Sequence, residues 1–243
     1  MTLEEQQTRI DLAAAYRLVH HFGWDDLIYT HISAKIPGTE TFLINEYGLR
    51  FDEITASNLV KVDIDGSVIG NGIINPAGFV IHGTIHQARH DAGCIVHIHT
   101  PAGIAVSADR RGLLPISQLS SFIVNNIAYH DYYGLVVDDT EREILKANLG
   151  YNPYLILRNH GLLTVGNTIP VAFMNMYSLQ KCCESQVLTD LDYVNLISNE
   201  ILEQVFVRAK TYNSSLPQEL YPKFREWQAL LRLLDAKDST YKE

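Results

Sequence analysis

The run Cys94-Ile-Val-His-Ile-His99 constrains the fold of this chain more than any other segment. It is short and β-branched, which predicts a buried strand. Alternate residues of a strand share a face. His97 and His99 therefore lie side by side, while Val96 and Ile98 turn the other way into a core. Two adjacent imidazoles are half of a metal site. The pair alone also fits two satisfied histidines at a strand end.

The flanking sequence predicts helices interleaved with short strands. Apolar residues recur at helical spacing over 3–21, with Gly23 as a stop. Strand-like pieces follow at 28–36 and 41–45, separated by a Pro37-Gly38 turn. Residues 60–69 predict a hairpin with Asp65-Gly66 as a two-residue turn. Asn75-Pro76 opens a helix near 77–90, and Pro101 starts another. Residues 116–124 fit no one element. Residues 126–130 and 135–137 read as strands, 138–150 as a helix ending at Gly150, and 154–166 as a hairpin tightened at Asn159-His160-Gly161. Thr168 caps a helix running to about Asp190, with Pro170 in its first turn. Segments 200–213 and 218–234 read as helical, with Pro222 interrupting the second. The pattern predicts an α/β layered fold with a mixed sheet over 1–190 and a helical C-terminal extension over 191–243.

Composition narrows the function. The 243 residues are 47% apolar and 19% charged, a balance able to bury a core. Net charge is −9 and the basic residues are scattered, which argues against a nucleic-acid partner. Cys94, Cys182 and Cys183 form neither a disulfide framework nor a CxxC pair, and read as reduced core cysteines of a cytoplasmic protein. The first residues are acidic and amphipathic rather than signal-like, and no apolar run reaches the roughly 18 residues a membrane span needs.

His160 extends the histidine pair. It sits in a tight turn after a second buried run, Tyr-Leu-Ile-Leu-Arg. If both runs lie in one sheet, their C-terminal ends meet at one rim, where α/β sheets bind ligands. Three histidines leave a coordination position open, the mark of a catalytic ion. Neutral imidazoles suit zinc best, and also iron, manganese, cobalt or nickel.

The strings NPAGFVIH (75–82), ARHDAGCIVHIHTPAGIAVSA (88–108), GLLPIS (112–117), AYHDYYGLVVD (128–138) and LILRNHGLLTVG (155–166) resemble the class II aldolase/adducin family, in its adducin-like branch. The resemblance covers about 5–190. It implies a three-layer α/β/α sandwich around a central mixed, largely antiparallel sheet, one divalent metal on His97, His99 and His160, and a ring-shaped homotetramer. The sequence departs from the family's sugar-phosphate aldolases at other positions. Their acid/base glutamate falls on Gly78, their phosphate-binding serines on Pro76 and Ala77, and a substrate-loop Gly-Asn on Thr30-His31. A tyrosine they supply from a neighbouring subunit falls near Gln118-Leu119.

His82 and Tyr129 are candidate catalytic groups, and His31, Gly48 and Gly78 candidate substrate contacts. His82 reads either as a proton carrier lining the pocket or as part of a polar helix face. His86 and His90 follow at helical spacing and read as that polar face, at a subunit contact or in solvent. Tyr129 belongs to a cluster with His130, Asp131, Tyr132 and Tyr133 that serves either packing or a neighbour's site. Glu184 either reaches the metal rim or is solvated or paired. The expected function is a metal-dependent lyase, by aldol cleavage or decarboxylation, on a small unphosphorylated hydroxy or keto compound. The alternatives are a non-catalytic adducin-like scaffold and a non-haem iron oxygenase.

Overall fold

The computed structural model describes residues 1–134, 139–215 and 222–243. Its eight-stranded sheet comprises β1 (His31–Lys35), β2 (Thr41–Ile44), β3 (Val60–Asp63), β4 (Val68–Ile69), β5 (Cys94–Ile98), β6 (Ile127–His130), β7 (Tyr154–Leu157) and β8 (Gly161–Gly166). The spatial order is β4-β3-β2-β1-β5-β8-β7-β6. Every neighbouring pair is antiparallel except β6–β7. The helices are α1 (Leu3–His21), α2 (Pro76–Ala88), α3 (Pro101–Ala108), α4 (Gln118–Ile123), α5 (Asp139–Leu149), α6 (Ile169–Val187), α7 (Asn199–Ser215) and α8 (Pro222–Asp235).

Strand alternation sorts the side chains into two cores, giving the three-layer α/β/α sandwich. Ile32, Ala34, Cys94, Val96, Ile98, Ile156 and Leu162 pack with residues of α1, α3, α4, α6 and α8. Ile95, Leu155, Leu157, Leu163 and Val165 face Ile81 and Ile85 of α2 and Leu145 and Leu149 of α5. Each buried aliphatic side chain contributes about 1.5–3 kcal/mol relative to exposure. One-residue slippage would exchange the two faces, so the cores pin the register.

Several boundaries differ from expectation for local reasons. The β3–β4 loop has three residues, Ile64 to Gly66, closed by Asp63 N–H donating to the Ser67 carbonyl at 2.8 Å, not a two-residue turn. Gly66 takes φ +99°. The ambiguous 116–124 stretch contains α4, whose Ser117 cap accepts from Ser120 N–H. Helix α2 stops at Ala88, so His90 lies beyond it, exposed. Pro222 is the first residue of α8, a position its lack of an N–H favours. The strand expected at 135–137 lies outside the described residues, as do Asp138 and residues 218–221. Trp227, Leu234 and Tyr241 are buried in the same core as α1 and α6, so residues 222–243 share that core. No helix among the described residues is long and apolar enough to cross a membrane.

Tyr16 ties α1 to the sheet next to the site. Its buried hydroxyl donates to the Ile32 carbonyl and accepts from Ile32 N–H (2.8 Å) and Asn45 N–H (3.0 Å). Tyr16→Phe leaves those two N–H groups without that acceptor. We expect a loss of about 1–3 kcal/mol, read as a lower urea midpoint with unchanged slope.

Candidate metal centre

The sheet order explains how distant histidines meet. Strand β8 separates β5 from β7 and is antiparallel to both, so β5 and β7 run parallel and end at one rim. His97 lies on β5 and His99 just past its end. Thr100 then caps α3 by accepting from Gly103 N–H at 3.0 Å, which turns the chain immediately after His99. His160 sits in the β7–β8 turn, where Asn159 takes φ +56°, a left-handed conformation that asparagine tolerates. Gly161 follows because a Cβ there would meet the Ile98 carbonyl at 2.5 Å and the His99 ring at 3.0 Å. The Asn-His-Gly string is thus the geometry that presses one turn against the end of β5.

The three imidazoles converge. His97 Nε2 lies 2.8 Å from His99 Nε2, which lies 2.9 Å from His160 Nε2. One ligand atom from each falls within 4.8 Å of the others, and this is the one such group among the described residues. Two of their outer nitrogens have fixed acceptors. His97 Nδ1 lies 2.9 Å from the Leu162 carbonyl, which can only accept, so Nδ1 carries the proton. His99 Nδ1 donates likewise to the Asp26 carboxylate at 3.1 Å. The two rings then turn their Nε2 atoms toward each other across 2.8 Å. That arrangement is repulsive unless a cation or a proton lies between them. Burial pushes His97 well below the ordinary histidine range, helped by His99 and His160. Burial, then His99 and His130, lowers His160 to about 4. Neutral imidazoles anchored at Nδ1 by a carbonyl or carboxylate suit a divalent metal.

The remaining candidates separate. His31 pairs in register with His97 across β1–β5, and their ring centroids are 5.1 Å apart. Gly78 is buried at the start of α2, and a Cβ on it would meet His31 Cδ2 at 2.7 Å and Nε2 at 2.9 Å. His31 thus fills the space a side chain at position 78 would need. His82 does not line an open pocket; it is fully buried behind His31, with Nε2 2.9 Å from His31 Nδ1. His86 is neither solvent-facing nor on an open surface: it is 1% exposed and bonded to Ser33. Helix α2 packs this face against β1, which buries it. Tyr129 packs with the core on the opposite face from His97, its hydroxyl accepting from Leu113 N–H and its ring under Arg158 at 4.3 Å. Glu184 is paired with Lys181 and Gln180. Gly48 makes an exposed turn at φ +105°. A small cleft beside the cluster is lined by His130, Tyr132, Tyr133, Arg158 and His160 among others.

Residues 10–187 match the family described as class II aldolase and adducin N-terminal domain. The chain belongs to the class II aldolase and adducin family. A crystal structure of an aldolase II superfamily protein from Pseudomonas syringae superposes with a TM-score of 0.92 at 43% identity, covering 100% of this chain and 98% of that one. L-fuculose 1-phosphate aldolase from Glaciozyma antarctica superposes at 0.82 with 30% identity, covering 99% and 93%. Rat alpha-adducin is 42% identical over 95% of this chain, which spans 33% of that protein. The class II aldolase fold predicted from sequence is therefore the one observed.

Sequence reading missed Asp26, Ser33 and the Leu162 carbonyl. None has a local signature: Asp26 sits in a loop 73 positions from the ring it orients. Asp26→Ala should weaken zinc binding about 10–100-fold, measured by chelator competition, while the thermal melt of the metal-free protein stays nearly unchanged.

Burial also couples the histidines to pH. His31 and His86 are both lowered to about 3, chiefly by desolvation. Their unfolded forms protonate near the ordinary 6.5, so the unfolded state binds more protons below that pH. The stability they confer is complete above 6.5 and declines as pH falls toward 3, by up to about 1.4 kcal/mol per pH unit per ring. Urea midpoints in the presence of a chelator should fall between about pH 7 and 5, with a shallower slope for His86→Asn.

Proposed function

We propose that the chain binds one divalent metal ion, zinc by preference, through His97, His99 and His160 and acts as a lyase on a small hydroxy or keto compound without a phosphate group. The observation that carries this reading is the convergence of the three Nε2 atoms, with His97 and His99 2.8 Å apart and His99 and His160 2.9 Å apart, and with the Nδ1 of His97 and of His99 anchored behind by an acceptor. When bound, the ion supplies Lewis-acid polarisation of a substrate oxygen, which favours aldol cleavage or decarboxylation. Leu162 and Asp26 orient two ligand rings, and the β7–β8 turn supplies the third. His31 borders the cluster and stands as a substrate contact. Pro76 and Ala77 replace hydroxyl residues at the head of α2, which supports an unphosphorylated substrate. The likeness to an L-fuculose 1-phosphate aldolase supports carbon–carbon cleavage as the reaction type. Self-assembly into a ring tetramer in the cytoplasm completes the reading. Exposed Tyr132 and Tyr133 beside the cleft offer surface for such contacts, and three buried unpaired cysteines suit a reducing compartment.

The likeness to alpha-adducin supports a second reading, a non-catalytic scaffold. Metal analysis of the purified protein, followed by a screen of hydroxy acids, keto acids and unphosphorylated sugars, separates the two. One zinc per chain with turnover of a hydroxy or keto compound is the expected result; a protein that takes up no divalent metal is the scaffold. Oxygen consumption with 2-oxo acids in the iron-loaded protein would instead mark an oxygenase. His97→Ala should abolish metal uptake with little change in circular dichroism; unfolding instead would mark the ion as structural.

A further inference from the structure

A second set of histidines lies behind the metal cluster. His31 and Ser33 are two apart on β1, so both face α2. His82 and His86 are four apart on α2, so both face β1. The four side chains are buried, none more than 4% exposed. They form one continuous hydrogen-bonded chain. His31 Nδ1 lies 2.9 Å from His82 Nε2, and His82 Nδ1 lies 2.6 Å from Ser33 Oγ. Ser33 Oγ lies 2.7 Å from His86 Nε2, and His86 Nδ1 lies 2.9 Å from the Ala92 carbonyl.

The far end sets the direction of every link. The Ala92 carbonyl can only accept, so His86 Nδ1 carries a proton. Burial and the Lys35 ammonium, which donates to the His86 carbonyl at 2.7 Å, keep this ring neutral. Its Nε2 is therefore bare and accepts the Ser33 hydroxyl proton. That hydroxyl has one proton and has spent it, so His82 Nδ1 must donate to Ser33. Neutral His82 then accepts at Nε2, and His31 Nδ1 must donate to it. His31 is left with a bare Nε2, which no hydrogen bond among the described residues engages. That edge of the ring lies over Gly78, and its neighbour across β1–β5 is His97.

We propose that the chain His31–His82–Ser33–His86 is a positioning relay that holds His31 with an unprotonated Nε2 beside His97, and that this nitrogen accepts a hydrogen bond from a substrate hydroxyl. The subsite selects a donor. A hydroxyl satisfies it, whereas a carboxylate or phosphate oxygen presents a lone pair to a lone pair. His31 is the contact; His82, Ser33 and His86 act through it. The substrate contact rests on the lyase reading above, whereas the tautomer does not.

Long-range nitrogen–proton correlation spectra of the imidazoles test both parts without turnover. In the zinc-loaded protein, His31, His82 and His86 should each appear as the neutral Nδ1–H form with an unprotonated Nε2. An Nε2–H form at His31 overturns the relay. Ser33→Ala removes the link, and His31 should then become a mixture of tautomers while zinc stoichiometry stays at one per chain. Ser33→Thr keeps the hydroxyl and should restore the single form. A His31 spectrum unchanged in Ser33→Ala overturns the coupling. Titration with dihydroxyacetone should shift the unprotonated His31 Nε2 resonance toward its hydrogen-bonded position; no movement at any concentration overturns the substrate contact. Loss of zinc binding in the native chain would sink the lyase reading and leave the tautomer pattern standing.

Discussion

A backbone carbonyl accepts hydrogen bonds and never donates them, and two carbonyls set the protonation pattern of the histidine cluster. Leu162 fixes His97, and Ala92 fixes His86 and, through Ser33 and His82, His31. Each buried ring has one defined donor and one bare nitrogen. Without that order, a group of close-packed imidazoles would be a set of mismatched donors and acceptors in a medium that penalises both. With it, the Nδ1 of His97 and the Nδ1 of His86 each have a fixed acceptor.

The fold exists on both sides of this arrangement. Strands β5, β8 and β7 are adjacent interior strands of the sheet, packed on both faces by the two cores, so the rim they share is held by those cores rather than by a loop. Helix α2 contributes to one core through Ile81 and Ile85 and to the relay through His82 and His86, which lie on neighbouring stripes of the same helix. Packing that seats α2 also aligns the relay. The absence of a side chain at Gly78 and the presence of an imidazole at His31 are a single steric fact, since either a Cβ or the ring can occupy that space.

The resemblance that places three histidines together also places Gly78, Pro76 and Ala77 where a carboxylate and phosphate-binding hydroxyls were expected. The structure gives that departure a physical form. The space beside His97 that a side chain at position 78 would need is filled by the His31 ring.

The sequence by itself determined what is local. The strand period of residues 94–99 placed His97 and His99 together, and the helical stretches 3–21 and 138–150 announced themselves through apolar spacing and end signals. Asn159-His160-Gly161 marked a tight turn, and the family strings named the three-histidine set. Only the tertiary structure decided which remote groups complete those motifs. Asp26 meets His99 because the loop after α1 folds back over the rim. His86, which its spacing placed on a polar helix face, is buried because α2 lies flat on β1. Ser33 carried no signal at all, because a serine in a strand is unremarkable until two helix histidines close on it. Hydrogen-bond direction is a property of a closed network, and the network closes only when elements far apart in the chain are packed.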